Sequence, residues 1–377
     1  MTSRLPGSLL AAFVAAVVFV STLVSPSASA EIIIGQSAPL TGANAELGND
    51  IRNGALAYFK KVNDAGGING SKISLVTLDD KNEAKLSGEN AKQLIRKDGV
   101  VALFGFASST LSVPAMPSVV AGKVPFFAPF TGADAIRKQN EFVYTVRVTY
   151  ADEIEKLVGF WAPLGVTKIA VLHYDDAIGN QNFATAATVL AKYGKQPIAI
   201  PIKRNVALGP DTVKAIVAAD PQLILATTLY APITEMVKQL NAMKRPYSVT
   251  SLSFAGASQV AKSLGSQAAG ITVALTVPAP NQLQFAVVKE CNDAWRAAGQ
   301  TDAMSVTALE ACIAAKVLVQ GMRKAGREVT RASLHKALSA LGRVDVGGVV
   351  IAFKPGFRHG GTFVDIAVIR LNGELRG

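Results

Sequence analysis

Residues 100–111 read Val100-Val101-Ala102-Leu103-Phe104-Gly105-Phe106-Ala107-Ser108-Ser109-Thr110-Leu111: an apolar run, a glycine, then three consecutive hydroxyls at the start of a helical pattern. An apolar run of strand length without polar alternation belongs to a strand covered on both faces, and parallel sheets crossed by helices supply that cover. Upstream, strand 32–37 leads into a helix over about 46–63 that places Ile51, Ala55, Phe59 and Val62 on one stripe, stopped by Gly66-Gly67-Ile68-Asn69-Gly70. Strand 73–78 and helix 84–97 follow; downstream come a helix near 109–121 and strand 125–128. This βα alternation predicts an open parallel sheet with helices on both faces.

From Asp152 the alternation begins again: helix to 164, strand 168–173, helix 180–193, strand 198–202, helix 211–219, strand 223–228, helix 232–243, and strands near Val249 and Val273. Three helical patterns then run in a row over 282–298, 304–325 and 330–341, before extended runs at 348–353 and 364–371. This tail is too short for a third α/β unit and returns to complete the other two. The fold class is α/β, two Rossmann-like open-sheet lobes, with the chain crossing between them near 149–152, 277–279 and 353–361. The expected division is 31–150 plus 279–355 for one lobe and 151–278 plus 356–377 for the other. Two sheets joined by three strands make a hinged cleft.

The 377 residues suit about two domains. Residues 1–30 hold one charge, Arg4, then an apolar run from Leu9 to Val20 and Ser25-Pro26-Ser27-Ala28-Ser29-Ala30. That is a secretory signal with an A-x-A site, so cleavage is expected after Ala30 and the mature protein in the periplasm. Net charge is +11, but the basic residues are scattered; the densest group, Arg323, Lys324, Arg327 and Arg331, has the spacing of a solvated helix face, and no nucleic-acid motif accompanies it. Cys291 and Cys312 lie in successive helical patterns, so either a disulfide or two buried thiols fits; their Ala, Val and Ile neighbours suit the thiols.

Enzyme chemistry has little to work with. His173, His335 and His359 are the three histidines, without metal-ligand spacing, and no G-x-S-x-G elbow or phosphate loop occurs. Asp79-Asp80 and Asp175-Asp176 follow strands, where an acid pair could sit, but they are expected to cap the next helix. No catalysis, cofactor or metal is expected.

Ligands in open parallel sheets sit beyond the C-terminal strand ends. That rule selects Ser108-Ser109-Thr110 and, after the next strand, Pro129-Phe130-Thr131-Gly132, whose hydroxyls and amides suit a carboxylate. The bland alternative is a helix cap worth about 1 kcal/mol.

The signal segment, Ile34-Gly35-Gln36-Ser37-Ala38-Pro39-Leu40-Thr41-Gly42, Asn63-Asp64-Ala65-Gly66-Gly67-Ile68-Asn69-Gly70, Asp79-Asp80, Ser108-Ser109 and Pro129-Phe130-Thr131-Gly132 occur in an order that resembles the leucine/isoleucine/valine-binding protein family over essentially all of the mature chain. The resemblance implies a periplasmic substrate-binding protein of an ABC transporter with a type I two-lobed fold, a small-molecule ligand, a membrane permease as partner and a monomeric shuttle. It makes Ser109 the carboxylate-binding serine, Phe130 and Thr131 the second carboxylate loop, and Tyr230 a pocket residue of the second lobe; Asp152 matches the start of that lobe and is expected to cap a helix. The family's acid for the ligand ammonium falls at Ser253, in a loop with no carboxylate, so an amino acid would need its ammonium held by carbonyls, hydroxyls or another acid such as Asp175 or Asp176. Family aromatics are replaced by Ile178 and Leu47, which makes the pocket more aliphatic. Arg147, close to Tyr150 before the first crossing, either reads a second acidic group on the ligand or pairs with a hinge acid. The expected ligand is a branched-chain or other apolar amino acid, with an amine-free carboxylate, or a sensory rather than transport role, as the alternatives.

Overall fold

The structure is a computed structural model that describes residues 1–2, 31–137, 140–354 and 356–377; the signal sequence read above lies outside the described residues, apart from the first two. In chain order the elements are β1 (Ile32–Ala38), α1 (Ala45–Asp64), β2 (Ile73–Asp79), α2 (Ala84–Arg96), β3 (Ala102–Phe104), α3 (Ser109–Ser112), α4 (Met116–Gly122), β4 (Phe126–Phe127), α5 (Asp134–Arg137), β5 (Val143–Tyr144), α6 (Tyr150–Trp161), β6 (Ile169–Tyr174), α7 (Ala177–Lys192), β7 (Pro197–Ile202), α8 (Pro210–Ala219), β8 (Leu223–Thr227), α9 (Tyr230–Ala242), β9 (Ser248–Ser251), α10 (Ala257–Leu264), β10 (Thr272–Leu275), α11 (Ala286–Ala297), α12 (Val306–Ala325), α13 (Arg331–Ser339), β11 (Gly342–Asp345), β12 (Val350–Phe353), β13 (Asp365–Ile369) and β14 (Leu375–Arg376). Among the described residues no helix is long and apolar enough to cross a membrane.

The first sheet is parallel throughout, in the order β2-β1-β3-β4-β5, and the second runs β14-β13-β10-β9-β8-β6-β7. Only β13 and β14, which arrive last, pair antiparallel in the second sheet. The tail therefore serves both lobes: α12 and α11 pack on α1, while β13 and β14 extend the second sheet. Their segments meet where the chain crosses, with Thr145 bridging to His359 and Ile351 to Gly361.

Local chemistry explains the departures from the expected elements. The helix expected at 109–121 contains Pro114 and Pro117, which cannot donate to the ladder, so it breaks into α3, a 3-10 turn over Val113–Ala115, and α4. The two-residue strand β5 and the hairpin partner β11 were too short to stand out as patterns. Arg331 does not belong to a solvated basic face: its guanidinium donates to the carbonyls of Ile95 at 2.7 Å and Val100 at 2.9 Å, closing the end of α2. The cysteine alternatives resolve to a disulfide, Cys291–Cys312, that ties α11 to α12; the buried-thiol reading is corrected because the two apolar helix faces pack with their α-carbons 6.0 Å apart.

The α1–α12 contact depends on one missing methyl group. A β-carbon on Gly54 would lie 2.1 Å from the Ala308 carbonyl oxygen, so the two backbones can approach only because Gly54 has none. Gly54→Ala is expected to force α1 off α12 and destabilise the protein by about 1–3 kcal/mol, measured by urea denaturation. A stability gain, as an ordinary Gly→Ala change in a helix would give, contradicts this packing.

Candidate functional site

Strand order reverses about β1 in the first sheet and about β6 in the second, and each reversal opens a crevice at the C-terminal strand ends. The two rims meet. Asn82, after β2, donates to Asn205, after β7, at 2.7 Å; Gln259 of α10 donates to Asp50 of α1 at 2.6 Å, and Lys262 pairs with Glu46 at 2.8 Å.

On the first lobe the three consecutive hydroxyls have different tasks. Ser108, expected in the ligand set, is the N-cap of α3, its Oγ accepting from the Leu111 amide at 3.4 Å. Ser109 Oγ stands 2.5 Å from Thr131 Oγ1, both buried. Thr131 Oγ1 also accepts from the Ala133 amide at 3.0 Å, and the Phe130 amide donates to the Phe106 carbonyl at 2.8 Å, which zips the two loops together. Gly132 then passes close under α6: a β-carbon there would lie 2.7 Å from the Tyr150 nitrogen, whose N–H donates to the Gly132 carbonyl. This brings Tyr150, 2% exposed, against the hydroxyl pair, and its own hydroxyl faces Ser109 and Thr131 without closing a well-aligned bond to either.

Arg147 lies behind them, 1% exposed, its guanidinium 5.2 Å from the Phe130 ring centre. Its Nε and Nη2 donate to the two carboxylate oxygens of Glu310 at 2.7 and 2.6 Å, so the ion pair open in the sequence is made, with an acid of α12. Burial opposes its charge, but the Glu310 carboxylate outweighs that and holds the guanidinium protonated well above its ordinary range. Nη1 remains buried without a partner.

On the other wall, α6 buries an acid against the Ser253 loop. Asp175 is exposed, whereas Asp176 caps α7 and pairs with Arg204 at 2.8 Å. Glu153, in the first turn of α6, is fully buried and accepts from the Ser253 amide at 2.7 Å and its hydroxyl at 2.9 Å. Ser253 thus anchors an acid from another element. Burial pushes the Glu153 carboxyl up to about 7, against the lowering influence of Arg147 and Ser253. Nothing in the sequence around Glu153 marked it, because it follows the helix-capping pair Thr149 and Asp152 and reads as ordinary first-turn acid.

Tyr230 opens α9 and is itself buried. Leu47 is buried beside Gly256 of the Ser253 loop, and Tyr150 packs on Phe254 with ring centres 5.0 Å apart. Ile178 stands half-buried on the first turn of α7. Asp79 and Asp80 do not cap α2 as expected, since Glu83 holds its N-cap position; they brace loops instead, Asp79 accepting from Leu40 and Thr41, and Asp80 from Ser37. An open groove of about 920 Å³ on the outer side of the α1–α10 contact, lined among others by Glu46, Lys262 and Trp295, includes none of these hydroxyls. Among the described residues no group of His, Cys, Asp and Glu is placed to hold a metal ion.

A family model described as periplasmic binding protein matches residues 31–373. Leu/Ile/Val-binding protein homolog 1 of Brucella abortus (strain 2308) is 42% identical over 89 residues, 24% of each chain. Leu/Ile/Val-binding protein homolog 3 of Brucella melitensis is 31% identical over 166 residues, 43% of this chain and 45% of that one. The matched stretches thus span about a quarter to under half of these relatives' length. A substrate-binding periplasmic protein from Ralstonia solanacearum is 30% identical with a TM-score of 0.87, covering 92% of this chain and 99% of that one. A possible leucine/isoleucine/valine-binding protein from Rhodopirellula baltica SH 1 is 25% identical with a TM-score of 0.89, covering 94% of this chain and 98% of that one.

Proposed function

This chain belongs to the periplasmic binding protein family, and from that premise we propose that it captures a small carboxylate-bearing solute, foremost a branched-chain or other apolar amino acid, and delivers it to an ABC transporter permease. The observation that carries this reading is the buried hydroxyl pair of Ser109 and Thr131 with two unpartnered donors beside it, Tyr150 Oη and Arg147 Nη1. Buried donors without acceptors are costly, and a ligand carboxylate supplies the acceptors. Aliphatic Leu47 and Ile178 suit an apolar side chain, and the relatives' names point the same way.

In this reading the lobes are 31–150 plus 279–355 and 151–278 plus 356–377, the leader is removed after Ala30, and the monomer works in the periplasm. Closure buries the solute and presents both lobe surfaces to the permease only when loaded. The Asn82–Asn205 and Asp50–Gln259 contacts belong to that closed form.

A thermal-shift screen of protein stripped by unfolding and refolding, against L-amino acids and amine-free carboxylates, tests the reading. Solute at 100 times its dissociation constant stabilises by about 2.7 kcal/mol. No shift with any carboxylate refutes it. Ser109→Ala is expected to weaken binding at least ~10-fold, since a hydrogen bond to a charged group contributes about 1.5–3 kcal/mol. Unchanged affinity by calorimetry removes Ser109 from the site.

A further inference from the structure

Glu153 is a fully buried carboxylate held by two hydrogen bonds from a single residue, Ser253, and among the described residues no lysine or arginine closes an ion pair with it. The charged groups around it are otherwise engaged. Arg147 is committed through two nitrogens to Glu310, and Arg137, from α5, donates to the carbonyls of Arg147 and Val148. Tyr150, one turn back on the same helix, faces the Ser109–Thr131 pair. A carboxylate in such surroundings is expensive unless a cation arrives.

The placement says which cation. Ser109 and Thr131 follow strands of the first sheet, whereas Glu153 and Ser253 lie on α6 and after β9, against the second. A ligand with its anionic end on the hydroxyl pair and a cationic end a few bonds away spans the two walls.

We propose that Glu153 is the counter-charge for a ligand ammonium, so that the closed site selects α-amino acids over amine-free carboxylates and gives up a proton as it fills. The proposal deepens the functional reading above and rests on it. A zwitterion adds no net charge to the buried cluster of Arg137, Arg147, Glu153 and Glu310, while an amine-free carboxylate adds one negative charge beside Glu153.

The two ligand classes predict opposite proton linkage. With the free carboxyl near 7, a bound ammonium favours the ionised form, so binding releases a proton and affinity falls as pH drops below about 7. An amine-free acid favours the protonated form, so its affinity falls as pH rises through the same range.

The test is calorimetric titration of the stripped protein with the L-amino acids and with the matching acids that lack the amine, 4-methylpentanoate for leucine, between pH 5.5 and 8.5 in buffers of different ionisation enthalpy. The expected result is binding by an amino acid at least ~30-fold tighter than by its amine-free partner, with close to one proton released per ligand near pH 6 and almost none at pH 8.5. Glu153→Gln, whose amide oxygen still accepts from Ser253, is expected to abolish proton release and cost the amino acid at least ~30-fold in affinity. Equal or tighter binding of the amine-free acid, or unchanged amino-acid affinity in Glu153→Gln, overturns the assignment of Glu153 while the carboxylate-binding reading stands. Binding by neither class overturns both. The linkage measurement needs no variant, so it decides even if Glu153→Gln folds poorly.

Discussion

Arg147→Met is expected to lower the thermal midpoint of the ligand-free protein by on the order of 5 °C, through a loss of about 3–5 kcal/mol. The side chain is 1% exposed and its partner Glu310 4%, so removing the guanidinium leaves a carboxylate in the interior with only Thr276, 3.3 Å away, to solvate it. Solvent cannot screen the loss at this depth. The companion variant discriminates the cause. Arg147→Met with Glu310→Met removes both charges and replaces them with apolar volume, which for buried pairs is often neutral; the double variant is expected to recover most of the midpoint. A double variant as unstable as the single one would mean that packing of the guanidinium over Phe130, rather than the ion pair, is what matters. Ligand affinity separates a second role: with Nη1 gone, carboxylate binding is expected to weaken even where the double variant has regained its stability.

The second large effect lies away from the crevice. Cys291 and Cys312 are both fully buried and close a loop of 21 residues between α11 and α12, the helices that cover α1. Cross-linking a loop of this length restricts the unfolded chain by about 3 kcal/mol. Cys291→Ala with Cys312→Ala is expected to lose that amount in denaturant titration under non-reducing conditions, and the unmodified protein to lose a similar amount when unfolded in the presence of dithiothreitol. Identical midpoints with and without reductant would show that the thiols are not joined in the native protein. The bond also fits the compartment: an exported chain matures where such cross-links persist.

These two sites show where sequence reading stops. The βα alternation, the return of the tail to both lobes and the rim loops are local or rule-bound features. Apolar periodicity identifies parallel strands, and the C-terminal ends of such strands are where a ligand must sit. Ser109 and Thr131 could be picked out on those grounds because each lies just beyond the loop entered from a strand end, and family resemblance agreed. Arg147 was legible as a charge needing a partner, but its partner is 163 residues away on α12, and no local pattern ranks Glu310 above other acids. Glu153 was invisible for the same reason. Its distinction is burial next to a serine 100 residues downstream, while its immediate neighbours make it look like one more acid at a helix start.

The sequence by itself determined the fold class and which loops lie at the C-terminal strand ends, since hydrophobic period and chain chirality leave few ways to cover a parallel strand. Only the tertiary structure decided which charges are buried together, that the cysteines are joined, that Ser108 caps a helix while the Ser109 hydroxyl meets that of Thr131, and that Glu153 is buried against Ser253. The physical reason is that burial and pairing of polar groups depend on which elements pack against one another, and the cost of an unpaired charge is set by that three-dimensional neighbourhood rather than by the residues beside it in the chain.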